Sequence, residues 1–393
     1  MLARLIARDF RNFTHLDLAL PPAGLVIIGE NGHGKTSLLE AVAYLSLLRT
    51  LRGARDADVV RFGANVFHVR GELTTPARFD TVGVGYERSS RRKRATLDGV
   101  EQGRLTAALG AVPSVCFSPA DVVLVAGGPS ERRRYLDVTL ALSSPAYLYA
   151  LQQYRAALAR RNAALRTGLR DGARVGGTHH ELARVWEPAL ARHGAMISTI
   201  RQSFVHQQLE RFTTLAESIG ERQLVTMRYI SSLGGASVNA AMAERASLTA
   251  TVQSRANEEA LVAAYAQQRG LELRRGVTLV GPHRDELQLL LGGRELRTFG
   301  SAGQQRSAAI ALRLLELTTL RDAIGSTPLL LLDDPFAELD SGRAARVLDL
   351  LDATGVGQVL LAVPRVQDIP PAFGHLTHRT VRDGAIVSDR GLA

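Results

Sequence analysis

The sequence predicts an α/β protein whose nucleotide-binding head is split in two, with a mainly helical arm inserted between the halves. Three observations carry this. A glycine-rich loop, GENGHGKTS (Gly29–Ser37), stands between a short apolar strand pattern and a helix pattern. A second apolar strand pattern ending in two aspartates, TPLLLLDD (Thr327–Asp334), follows roughly 300 positions later, although loop and acids serve the same chemistry. Between them the character is helical. The expected division is 1–128 for the first half of the head, 129–274 for the arm and 275–393 for the second half.

The elements follow in order. Residues 1–120 are strand-rich: VFHVRGEL (66–73) and TVGVGYER (81–88) alternate, and Asp98-Gly99 has the chemistry of a hairpin turn. LVIIGE (25–30) is a short buried strand feeding the glycine loop, and TSLLEAVAYLSLL (36–48) is a helix without a breaker. Pro129 and Ser130 start a helix, and Ser144-Pro145 opens a second in which Leu151, Tyr154, Leu158 and Leu165 recur at helical spacing. Trp186, Leu190, Ile197, Ile200 and Phe204 share a face of a third, which serves packing. Heptads are not sustained, so a long coiled coil is not expected. The leucine run before Asp333 is a parallel strand buried on both faces.

Composition narrows the class. With 46% hydrophobic and 22% charged residues the chain builds true cores. A net charge of +10 suits a polyanionic partner. The single cysteine, Cys116, excludes an internal disulfide framework and a cysteine zinc site, and points to a reducing compartment. The N-terminus mixes charges into its apolar residues, unlike a secretion signal, and no run is long enough for a membrane helix. A cytoplasmic protein is expected, with no membrane partner.

Gly29-x-x-x-x-Gly34-Lys35-Thr36 is a full phosphate-loop pattern in its required context. Small residues let successive N–H groups converge on phosphate oxygens at the positive end of a helix, Lys35 reaches the β and γ phosphates, and Thr36 offers a hydroxyl to Mg²⁺. Glu30, Asn31, Gly32, His33 and Ser37 complete the loop, with His33 expected as an exposed side chain at a variable position. Only two residues of the chain are lysine, Lys35 and Lys93; positive charge is otherwise arginine. A compact ammonium with three rotatable donors suits the interior of a phosphate loop better than a wide guanidinium. Asp333 is the second Mg²⁺ anchor, and Asp334 is placed to polarise the attacking water. In FGSAGQQR (299–306) Ser301 is a helix cap that could offer a hydroxyl and a helix N-terminus to an anion.

These motifs resemble the ABC ATPase superfamily, whose signature SAGQQ looks like (Ser301, Gly303, Gln304, Gln305), with Asp340 of AELD resembling the D-loop. More narrowly, DFRNF (9–13), GENGHGKTSLLEA, FSPADVVLVAGGPSERRRYLD (117–137), VGPHRDE (280–286), FGSAGQQR and LLLLDDPFAELD (329–340) resemble motifs of the RecF family in the family's order. The resemblance implies an ABC-type head that binds ATP and Mg²⁺, with Arg11 of DFRNF also at the nucleotide. It implies a homodimer in which the signature of one chain closes on the nucleotide of the other. It further implies a weak ATPase that acts with RecO and RecR to load recombinase at gaps in single-stranded DNA, in repair, recombination, replication and the SOS response. Three features depart from the ABC pattern: Asp334 stands where glutamate is usual, Asp121 occupies the region of the Q-loop glutamine, and Pro364-Arg365 follows QVLLAV where a switch histidine is common. Slow hydrolysis is the expectation. The competing readings, a transporter nucleotide-binding subunit and an SMC-type clamp, would require a continuous head with a switch histidine, or long heptads and a hinge.

Residues 131–170 hold eight arginines against Glu131 and Asp137. Arg132, Arg133, Arg155, Arg160 and Arg161 from this stretch, with Arg91, Arg92, Lys93 and Arg94 of an expected exposed hairpin, are the candidate DNA contacts. Sparse aromatics favour the backbone of duplex or gapped DNA over base stacking on single strands.

Overall fold

In a computed structural model of the chain, residues 1–387 are described except 52, 75–77, 173–176, 235–249, 338 and 356. Glu338 of AELD and part of the arm therefore lie outside the described residues. The chain forms two compact units, the first of residues 1–121, 218–220 and 310–393, the second of 122–217 and 221–309.

The first unit contains two sheets. Strands β1 (Leu2–Phe10), β2 (Phe13–Ala19), β4 (Val66–Leu73), β5 (Thr81–Glu87), β6 (Arg92–Leu97) and β7 (Val100–Glu101) form an antiparallel sheet in the order β2-β1-β4-β5-β6-β7. The turn from β6 to β7 is Asp98-Gly99, with φ of 49° and 79°, the left-handed pair that a two-residue hairpin needs. The other sheet has the order β15-β14-β3-β13-β12-β8, from β3 (Gly24–Ile28), β8 (Ser114–Phe117), β12 (Leu329–Asp333), β13 (Val359–Val363), β14 (Thr377–Arg382) and β15 (Ala385–Val387). All its pairs are parallel except β14 with β15. Every residue of β12 and β13 is buried, as continuous apolar runs require of central parallel strands.

Helix α1 (Lys35–Leu47) packs against β1, β4 and β5 of the antiparallel sheet and β8, β12 and β13 of the parallel one. Its apolar residues leave no polar face, which suits a helix covered on all sides. Tyr44 of α1 meets Phe10 and Phe67 edge to face, with ring centroids 6.0 and 5.2 Å away. One core thus ties the glycine-loop helix to both sheets.

The second unit holds α2 (Pro129–Ser143), α3 (Pro145–Arg170), α4 (Thr178–Arg184), most of α5 (Glu187–Ile219) and α6 (Ala250–Arg275). The Ser144 side chain caps α3 by accepting from the Tyr147 N–H at 3.2 Å, and Pro145 takes the first helical position. This unit differs from the expected arm in two ways. It contains a sheet in the order β11-β10-β9, from β9 (Val225–Ile230), β10 (Glu286–Leu291) and β11 (Arg294–Glu295). Because β9 pairs with β10 along its whole length, the unit continues beyond 274 to Ala309. It therefore includes the FGSAGQQ segment, where α7 (Ala302–Ile324) begins.

Candidate nucleotide site

Strand β3 lies between β14 and β13, and the loop that leaves it is shaped by glycine. A Cβ at Gly29 would come within 2.4 Å of the Val381 carbonyl oxygen on β14. Gly34 has φ +115°, and a Cβ there would stand 2.5 Å from the Asn12 side-chain nitrogen. No other residue meets both demands. Helix α1 starts at Lys35 and directs its unpaired N-terminal N–H groups into the loop.

Lys35 is only 7% exposed. Its Nζ donates to the carbonyl oxygens of Gly29 at 2.6 Å and Glu30 at 3.0 Å. Burial lowers its pKa, opposed by the nearby negative charges of Asp333 and Asp334. An ammonium solvated by the loop's own carbonyls gains when phosphate oxygens take their place.

The fold brings Thr36 to Asp333 across 297 positions, the hydroxyl lying 3.0 and 2.9 Å from the two carboxylate oxygens. A hydroxyl and a carboxylate side by side are hard oxygen donors of the kind Mg²⁺ takes together with nucleotide oxygens. Among the described residues no cluster of three or more His, Cys, Asp or Glu could hold a metal alone, so the donor set fits a cation that arrives with phosphate. Asp334 follows with φ 48°, and its N–H bonds the Ala362 carbonyl at 2.9 Å. The left-handed step, which aspartate tolerates, turns the chain out of β12 directly after Asp333.

His33 departs from expectation. Its side chain is half-buried, Nδ1 accepts from the Asp383 N–H at 2.9 Å, and its carbonyl accepts from Gly384 N–H and the Asn12 amide, each at 3.0 Å. The loop tip is thus fastened to the β1–β2 and β14–β15 turns. Asn12 and Asp383 were missed in the sequence, although Asp383-Gly384 carries the same turn chemistry as Asp98-Gly99. Glu30, Asn31 and Gly32 are exposed, and Ser37 is half-buried in the first turn of α1. Arg11 also departs: its guanidinium is bidentate on Glu40 of α1, at 2.7 and 3.0 Å, with a further bond to the Asp58 carbonyl.

Ser301 caps α7. Its hydroxyl accepts from the Gln304 N–H at 3.3 Å while the Gln304 side chain accepts from the Ser301 N–H at 2.9 Å, a reciprocal capping box. Gln305 donates to the Arg297 carbonyl at 3.0 Å, and Gly303 lies in the first turn. Ser301 itself is exposed. Asp340 caps α8 (Ser341–Ala353), accepting from the Arg343 N–H at 2.8 Å. Asp121 is not free to replace a Q-loop glutamine, because its carboxylate binds Arg313 at 2.6 Å and the Ser118 N–H at 2.8 Å. Arg365 is paired with Asp368 at 3.0 Å.

The candidate DNA contacts divide by environment. Arg161 is 1% exposed and bonds Glu187, Glu272 and Thr278. Arg132 is buried on Glu286 and the carbonyls of residues 124, 125 and 127. Lys93 bonds Asp56 at 2.6 Å and the Leu48 carbonyl, with its ammonium 5.2 Å from the Tyr44 ring centre. These three charges serve the interior and correct the expectation. Arg133 is half-buried on the Asp285 carbonyl. Arg91, Arg92, Arg94, Arg155 and Arg160 are exposed, although Arg155 pairs with Asp137 and Arg160 lies over the Trp186 ring.

A phosphate loop beside a magnesium-type acid on a parallel sheet, with a serine-capped signature helix elsewhere in the chain, defines an ABC-type ATPase. No family model matches the chain. It is 38% identical over 387 residues to the DNA replication and repair protein RecF of Anaeromyxobacter sp. (strain Fw109-5), covering 98% of each. It is also 38% identical over 373 residues to that of Rhodococcus erythropolis (strain PR4 / NBRC 100887), covering 93% of this chain and 90% of the relative. A solved structure of the recombination mediator protein RecF with ATPrS superposes with TM-score 0.83 at 27% identity, covering 98% of this chain and 97% of that one. The chain belongs to the RecF family. An Smc head bound to the C-terminal winged-helix domain of ScpA, 14% identical with TM-score 0.51 over 99% of this chain, shares the fold.

Proposed function

We propose that the chain is an ATP-driven DNA-repair ATPase of the RecF kind, which dimerises on ATP at duplex or gapped DNA and hydrolyses slowly. The observation that carries this is the convergence of Lys35, Thr36 and Asp333 in a loop preset for phosphate. Solved RecF structures hold ATP or ATPrS and are placed in a RecFOR pathway, which supports ATP as ligand and RecO and RecR as partners. Ser301 contributes in trans: among the described residues its hydroxyl oxygen accepts only from a local N–H, which leaves the O–H to donate to the γ phosphate of a partner's nucleotide. Asp334 is one methylene shorter than glutamate, so it holds water farther from the phosphorus and turnover is slow.

The test is nucleotide binding by Asp333→Asn and Lys35→Ala variants against the parent chain. Weakened MgATP binding with an unchanged fold supports the reading, and binding equal to the parent refutes it.

A further inference from the structure

The antiparallel sheet turns one face to the core and the other to solvent. The β pairing places the side chains of the solvent face in rows that run across the strands. One row reads His15, Arg8, His68, Gly85 and Arg94 on β2, β1, β4, β5 and β6. The next reads Asp17, Ile6, Arg70, Gly83 and Thr96. His15, Arg8, His68, Arg70 and Arg94 are all exposed. The His68 ring lies over the backbone of β5 at Gly83 and Gly85, where Cβ atoms at the two positions would stand 3.5 Å from Nε2 and 3.4 Å from Cδ2.

We propose that this solvent face is a docking track for duplex DNA, with Arg8, His68 and Arg70 as its phosphate-binding centre. It deepens the DNA-binding part of the proposed function and rests on it. Four inter-strand steps separate β2 from β6, about 19 Å at roughly 4.8 Å each. One DNA strand displays about five or six phosphates over that length, whereas a mononucleotide or free phosphate would meet a single step. No Phe, Tyr or Trp stands in either row, so the face offers charge without the stacking platforms that single strands use.

The acids of this face are already engaged. Asp17 pairs with Arg4 at 2.6 Å, Glu72 lies 3.8 Å from Arg70 and 3.9 Å from Arg4, Glu87 accepts from Ser89 and Ser90, and Glu101 lies 3.5 Å from Arg92 and Arg94. Arg8 and His68 make no ion pair among the described residues. Partial desolvation of the ring, together with the charges of Arg70 and Arg8, holds the His68 imidazole below its ordinary pKa. A phosphate set between those arginines reverses that charge balance and favours the imidazolium. DNA binding therefore takes up a proton, and affinity rises as pH falls toward the histidine range.

The test uses the full chain with MgATP and a fluorescein-labelled duplex, measured by anisotropy across salt and pH. Arg8→Ala with Arg70→Ala should reduce the slope of log affinity against log salt by nearly 2, at about 0.9 per phosphate contact, with melting behaviour like the parent. His68→Gln should keep the affinity at pH 8 and abolish the gain on acidification to pH 5.5. A double variant with the parental slope, or a histidine variant with the parental pH dependence, overturns the track. Competition by an unpaired strand as strong as by duplex overturns the assignment to duplex. If the parent shows no salt-dependent binding, the DNA-binding reading fails too; parental binding that the variants do not alter fails only the track.

Discussion

Lys35→Arg keeps the positive charge of the phosphate loop and changes only its shape, which makes it the sharpest single substitution for the account. The ammonium occupies a pocket that is 7% exposed and donates to two loop carbonyls at 2.6 and 3.0 Å. A guanidinium is wider and planar, and cannot rotate its donors from these carbonyls onto phosphate oxygens. Bonds to a charged group contribute about 1.5–3 kcal/mol, so one misplaced phosphate contact weakens MgATP by roughly 10- to 150-fold. The assay is titration calorimetry with MgATP, with circular-dichroism melting as the fold control. An affinity within twofold of the parent would show that charge alone matters and would refute the shape argument.

Further outcomes follow from individual environments. Arg161→Met leaves Glu272 without its cation in the interior, while Glu187 keeps Arg269, and should cost about 3–5 kcal/mol in denaturant unfolding, whereas Arg91→Ala with Arg92→Ala should leave stability unchanged and weaken duplex binding. His283 accepts from the Tyr154 hydroxyl at 2.6 Å and donates to the Thr278 carbonyl, and burial pushes its pKa down to about 4. An unfolded histidine protonates near 6.5, so the unfolded chain binds more protons between about pH 6.5 and 4 and stability falls across that window, by on the order of 3 kcal/mol. His283→Gln should flatten this part of the unfolding profile; an unchanged slope would count against the assignment. Ser301→Arg and Asp333→Asn, each failing to form the ATP-dependent dimer alone, should partly restore one productive site when mixed. Absence of any restored hydrolysis would argue against a site shared between chains.

What the sequence disclosed was what local chemistry encodes. The phosphate loop, the β12 strand with Asp333, the Asp98-Gly99 turn, the Ser144-Pro145 helix start and the Ser301 cap all depend on neighbours a few residues away, and residue type suffices to read them. Charge was misread where tertiary partners decide its use. Arg132, Arg161 and Lys93 look like surface cations in a basic run, but Glu286, Glu187 with Glu272, and Asp56 come from distant segments and draw them inward. The resemblance put Arg11 at the nucleotide and Asp121 in the region of the Q-loop glutamine, but Glu40 and Arg313 pair with them. The β9–β10 pairing joins residues some 60 positions apart, so no local pattern showed that the arm contains a sheet. The basic rows on the antiparallel sheet became visible only once register set His15, Arg8, His68 and Arg94 side by side.

The central claim is that the Lys35 loop is half of a site whose other half is Ser301 of a second copy. Sedimentation of the full chain with and without MgATP, in the presence of a short duplex, tests it most directly. The account predicts a monomer without nucleotide and a dimer with MgATP and DNA, lost in Ser301→Arg. A chain that stays monomeric with both present contradicts it.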